Sequence, residues 1–278
     1  MALNDDAVDR IVLKAATYEL ADSMCSTLAQ DYDLFATHYD LFATLTESAL
    51  CINRTVTIEA EVSGSVVLDA KGLRRVIHVQ SGGTAELIGL NITGGLAAFG
   101  GGLMIYSGGV ANLAGCNIHD NAAIDNETVL IPGGGGVCIL GKATLRDCNI
   151  YDNEATSQGG GLRIDGEAKL TNCNIYNNSA LAGGGLMIYR VANLEDCSIF
   201  NNTATTLDGG GFNIVSRTAE ANLVNCKIYQ NKAAVQVRFG LNLCTPSPGC
   251  SYMTYPHSGW RPENVLWRGE TEYHHHLR

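Results

Sequence analysis

Arg163, Asp165 and Lys169 lie in one short stretch and combine a cation, a carboxylate and an amine. Such a set could abstract a proton beside a carboxylate, return one to a leaving group, and hold the substrate's negative charge. Arg146 and Arg190, to either side in the chain, would supply further positive charge. The competing reading, solvated charge on a sheet, is preferred, because ordinary surface charges are common and contribute little. The pairs Asp120-Asn121, Asp125-Asn126 and Asp152-Asn153 offer oxygen ligands to Ca²⁺, but they lack the Gly-Gly-x-Gly-x-Asp repeat of a calcium-binding roll. His274, His275 and His276 form a run that could bind a metal weakly. No Ser-His-Asp spacing, P-loop or dinucleotide fingerprint stands out, and neither a resident metal nor a cofactor is expected.

Composition narrows the partners. The 278 residues carry 28 acidic against 18 basic side chains, a formal charge of -10. That balance argues against nucleic acid and anionic membrane surfaces, which repel it, and weakens the case for a polyuronate substrate. No stretch approaches the roughly 20 apolar residues of a membrane-spanning helix, so no transmembrane segment is expected. The amino end has no basic region followed by an apolar one, so no signal peptide is visible in this sequence.

Stepping along the chain, five segments align: Ala111 to Asn121, Ala143 to Asn153, Ala168 to Asn178, Ala192 to Asn202 and Ala221 to Asn231. Each reads Ala-x-Leu-x-x-Cys-x-Ile-x-x-Asn. The cysteines Cys116, Cys148, Cys173, Cys197 and Cys226 follow at steps of 32, 25, 24 and 29 residues. A degenerate copy, Ala85 to Gly95, has Leu90 in the Cys place and Gly95 in the Asn place. A glycine triplet and a short apolar strand precede each copy, as in Gly159-Gly-Gly-Leu-Arg-Ile164. Each repeat is therefore expected to be one coil with two strands, and stacking coils would build a continuous core. Helical repeats would need long amphipathic runs, and a propeller blade needs about 40 residues.

The glycine starts and Cys-x-Ile-x-x-Asn ends resemble the pectin-lyase-like superfamily of right-handed parallel β-helices. In style they are similar to the short repeats of polymorphic outer membrane proteins, with Ile150 to Asn153 and its fellows in the place of a Phe-x-x-Asn motif. The resemblance spans roughly residues 50 to 237 and implies an all-β, single-domain right-handed parallel β-helix. Residues 1–50 are expected to cap the amino end around an insertion, 51–239 to form the coils, and 240–278 to form an irregular tail. Val235-Gln-Val237 is expected to be the last strand. The superfamily includes lyases, epimerases, adhesins and inert scaffolds, so the resemblance leaves function open.

Stacking would place the five cysteines in an inward column of free thiols. Core packing is preferred over metal binding, since a column along one sheet cannot close a tetrahedron and no histidine joins it. Asn121, Asn153, Asn178, Asn202 and Asn231 would form an amide column bonding from coil to coil. The rings of Tyr151, Tyr176, Phe200 and Tyr229, headed by His119, form a third column read as stabilising. Cys25 with Cys51 and Cys244 with Cys250 bracket loops, and disulfides there would imply an extracellular or lumenal compartment.

Strand alternation also points Met104 and Tyr106, Cys138 and Leu140, Arg163 and Asp165, Met187 and Tyr189, and Asn213 and Val215 outward as a strip unusually apolar for a solvated sheet face. The expected function is a non-catalytic scaffold that docks a protein partner or a glycan, within or outside a larger complex. It would bind through Met104, Tyr106, Met187 and Tyr189 or through the aromatic tail with Trp260 and Trp267. The alternative is a polysaccharide lyase or epimerase built on Arg163, Asp165 and Lys169.

Overall fold

The computed structural model describes residues 9–20, 47–124, 133–216 and 218–234, together with the short strands Tyr252–Thr254 and Leu266–Arg268. Those two strands pair antiparallel with each other. The rest of the described chain is a parallel β-solenoid of about seven turns.

One coil shows the plan. Its strands are Val137–Ile139, Lys142–Arg146, Asn149–Tyr151 and Glu154–Gln158, after which Leu162–Ile164 starts the next coil. A coil thus has four strands, not the expected two, and the molecule has four long parallel sheets. We call them the glycine-side sheet (7 strands), the alanine–leucine sheet (8), the isoleucine–tyrosine sheet (8) and the fourth sheet (6), in the order a coil visits them. The expected single long strand is broken just before each cysteine. Asp147, Asn172, Asp196 and Asn225 have φ of 53–54° there. A second left-handed residue precedes each column asparagine, as at Asp152 (φ 52°) and Asn177 (φ 56°). Asp and Asn tolerate this region better than other side chains, so the corners fall where the sequence places them.

Register is one residue to one residue. Ala143, Ala168, Ala192 and Ala221 pair in line, as do Leu145, Leu170, Leu194 and Leu223. The inward columns merge into one core running from Ile52 to Leu223, and most of its members are fully buried. The glycine triplet turns the chain from the fourth sheet into the next coil. Gly159 has φ of 64°. A Cβ on Gly160 would run into the carbonyl oxygens of Ser179 and Gly184, and one on Gly161 would lie 2.7 Å from the Gly185 oxygen. Each of the three positions therefore excludes a side chain.

The rungs begin before residue 51. Asp9–Leu13 pairs with Thr55–Ala60 in the alanine–leucine sheet, and Ala16–Glu19 pairs with Val66–Asp69 in the isoleucine–tyrosine sheet. The last described rung of the fourth sheet is Lys232–Ala233. The expected strand Val235-Gln-Val237 and the bulk of the tail lie outside the described residues.

Candidate functional site

The strip expected to dock a partner is built on the middle residue of each glycine-side strand. In register it reads Cys51, His78, Met104, Cys138, Arg163, Met187 and Asn213. Leu103, Ile105, Val137 and Ile139 face the core on the other side. The strip does point away from that core, yet it is covered. Met104 and Met187 are each 2% exposed, Cys138 1% and His78 4%. The expectation that these methionines present an open apolar face is corrected accordingly. From Leu103–Ile105 onward these strands are only three residues long, so rings from adjoining turns lie across them. Tyr189 and Phe99 flank the Arg163 guanidinium, with ring centres 5.0 and 5.4 Å away. Tyr106 meets His78 edge-on at 6.2 Å, and Tyr189 donates its hydroxyl to Gln158 Oε1 at 2.6 Å. Tyr106 and Tyr189 remain half-buried. Trp267 lies on the Leu266–Arg268 strand, while Trp260 and the His274 to His276 run fall outside the described residues.

The proposed acid–base set does not converge. Arg163 donates from Nε to both Asp165 oxygens at 3.1 and 3.0 Å and from Nη2 at 3.0 Å, so each closes on the other. Lys169 stands on a different sheet, in register with Thr144 and Asn193, and is exposed. Arg146 is exposed on that same sheet, and Arg190 is exposed just before the Val191–Glu195 strand. Among the described residues no group of three or more His, Cys, Asp or Glu side chains could hold a metal ion. Of the turns weighed as calcium ligands, Asp120 instead meets His119 Nδ1 at 2.7 Å, and Asp125-Asn126 lies outside the described residues.

The columns are continuous. Cys116, Cys148, Cys173 and Cys197 are buried, and Cys226 is half-buried in the last coil. Their thiols donate to backbone carbonyls, as Cys148 does to Arg146 at 3.1 Å and Cys173 to Thr171 at 3.3 Å. The hydrogen bond to the preceding thiol of the column, followed by burial, pushes Cys148 and Cys173 up to about 12 and Cys197 to about 11. Burial, followed by Asp165, pushes Cys138 up to about 12. Along the asparagine column each Nδ2 donates to the next Oδ1 at 2.9–3.0 Å. That same Oδ1 accepts the preceding backbone N–H at 2.9–3.1 Å. Cys25, Cys244 and Cys250 lie outside the described residues, and Cys51 sits half-buried in the glycine-side sheet.

The exposed side of the isoleucine–tyrosine sheet carries two ladders. His119, Tyr151, Tyr176, Phe200 and Tyr229 stack at 4.9–5.0 Å with planes within 10° of parallel. Beside them Asn91, Asn117, Asn149 and Asn174 form a second amide ladder, with Nδ2 to Oδ1 distances of 2.8–2.9 Å. This ladder is legible only in retrospect, as the residue after Cys116, Cys148 and Cys173 and after the Leu90 stand-in. Two polar residues inside the strip's apolar strand were also missed. Arg75 is 3% exposed and donates to the Phe99 and Gly100 carbonyls and to Ser48 Oγ. His78 has no hydrogen-bond partner at either nitrogen.

A family model described as the right-handed beta helix region matches residues 75–244, more than half of the chain. The chain belongs to the right-handed β-helix family. No curated protein and no solved structure matches it. The matched span starts at the buried Arg75 and covers all five full copies of the repeat.

Proposed function

We propose that this β-helix is a non-catalytic binding or scaffold module rather than a polysaccharide lyase or epimerase. The observation that carries the reading is the mutual closure of Arg163 and Asp165 between the Phe99 and Tyr189 rings, away from Lys169. A lyase needs its base and cation free to meet the substrate's carboxylate and α-proton, and here the two neutralise each other. The docking face we favour is the exposed side of the isoleucine–tyrosine sheet. Its rings give their faces to one another, so what they offer outward is edges and phenolic hydroxyls, alternating with amides. Such a surface recognises a glycan or an extended peptide by hydrogen bonds rather than by stacking.

Two assays divide the readings. Polygalacturonate and alginate are incubated with the full chain, and unsaturated products are followed by ultraviolet absorbance. No product is expected, and product lost in Asp165→Asn would establish the lyase instead. A glycan array is then probed with the native chain and with Asn149→Ala/Asn174→Ala. Signal lost in the double variant supports the face, and equal signal from both overturns it.

A further inference from the structure

The exposed side of the isoleucine–tyrosine sheet repeats once per coil. Its rings lie 4.9–5.0 Å apart from His119 to Tyr229. Asn117, Asn149 and Asn174 stand in register beside them. Each bond along that amide ladder uses one N–H and one oxygen lone pair. A primary amide has two of each, so every rung keeps a second N–H and a second lone pair for a ligand. Tyr151 and Tyr176 add a phenolic hydroxyl on two of those rungs. A ligand that meets every rung alike must repeat at nearly the same spacing. Charge selects further. No lysine or arginine stands on the strands of this sheet before Lys227. Exposed carboxylates border it, Asp147 and Asp196 at one corner and Asp120 and Asp152 at the other. Burial, followed by Asp120 and Asp152, raises the Tyr151 pKa, so those carboxylates are felt on the face itself. An anionic chain laid there meets repulsion.

We propose that the docking face put forward above, on which this assignment rests, takes a neutral, linear β-1,4-linked glycan laid along the solenoid axis, one sugar to each rung. An extended β-1,4-linked chain is a flat ribbon that advances by close to one rung per sugar. Its equatorial hydroxyls both donate and accept, which matches the donor and acceptor left on each amide. Chains with α-1,4 or β-1,3 linkages coil and leave the straight line of the ladder. An extended peptide also falls out of step, because its like-facing side chains recur at about 6.6 Å. The bordering carboxylates reject a polyuronate and leave a neutral chain unaffected.

The test is calorimetric titration of the full chain with cellohexaose, N-acetylchitohexaose, cellotriose, maltohexaose and hexagalacturonate. One or both β-1,4 hexaoses should bind at least tenfold more tightly than the other three. Asn149→Ala/Asn174→Ala should weaken that binding at least tenfold with circular dichroism unchanged. Tyr151→Phe/Tyr176→Phe, which leaves the amide ladder intact, should weaken it less. Cellotriose binding as tightly would overturn the match of sugar to rung. Maltohexaose binding as tightly would overturn the linkage, and hexagalacturonate the neutrality. If neither β-1,4 hexaose binds while array signal is still lost in the asparagine variant, this ligand is overturned and the face stands. Hexaose binding that is equal in the native chain and both variants overturns the face itself.

Discussion

At the scale of single residues, burial decides the chemistry. His78 has an ordinary pKa of 6.5 when unfolded and about 3 when folded. The unfolded chain therefore binds more protons between those values, so stability rises with pH across that window and is lost as pH falls through it. The loss is on the order of 5 kcal/mol when complete. Urea unfolding of the native chain and His78→Leu between pH 7 and pH 4 should show a shallower slope in the variant. The thiols divide in the same way. Cys138, Cys148, Cys173, Cys197 and Cys226 all have raised pKa values, but the first four are buried whereas Cys226 is half-exposed, so access alone separates them. Brief iodoacetamide treatment at neutral pH, read by peptide mass spectrometry, should label Cys226 well ahead of those four.

At the scale of the rung, the asparagine turns gather buried hydrogen bonds that link one coil to the next. Asn178 Nδ2 donates to the carbonyl of Ile150 and to Asn202, while its Oδ1 accepts from Asn153. Asn178→Ala takes this partner from two buried backbone groups, the Ile150 carbonyl and the Asn153 N–H, and from the Asn153 and Asn202 amides, each buried group left unsatisfied costing about 1–3 kcal/mol. Its thermal midpoint should fall by several degrees, more than that of the exposed Asn222→Ala. Gly160→Ala should be worse, because its Cβ meets carbonyl oxygens of the next coil that cannot move alone. Failure to fold, or a fall in midpoint larger than that of Asn178→Ala, is expected by circular dichroism.

At the scale of the whole molecule, the solenoid is a one-dimensional stack in which each coil is held only by its neighbours. Ile11 and Val12 at the first rung are 40% and 50% exposed, and Ile228 and Tyr229 at the last are each 45% exposed. Amide hydrogen exchange should therefore be slowest in coils between about residues 84 and 204 and faster toward both ends. Uniform protection from end to end would count against this gradient.

The Ala-x-Leu-x-x-Cys-x-Ile-x-x-Asn repeat determined the solenoid, the inward cysteines and the asparagine turn, because a repeat that stacks in register puts like residues over like. Asp147 and Asn172 hid the second corner, since their left-handed backbone leaves no mark on the period. The strip through Met104, Cys138 and Met187 misled for a related reason. Alternation shows that those side chains leave the core, but not that Phe99 and Tyr189 fold back across Arg163 beside them. Whether Arg163, Asp165 and Lys169 meet was likewise a question of which sheet each occupies. The two-residue alternation of a strand and the recurrence of the repeat can be read from the chain. Cover and convergence depend on turns from different coils meeting in space, and only the tertiary structure decides them.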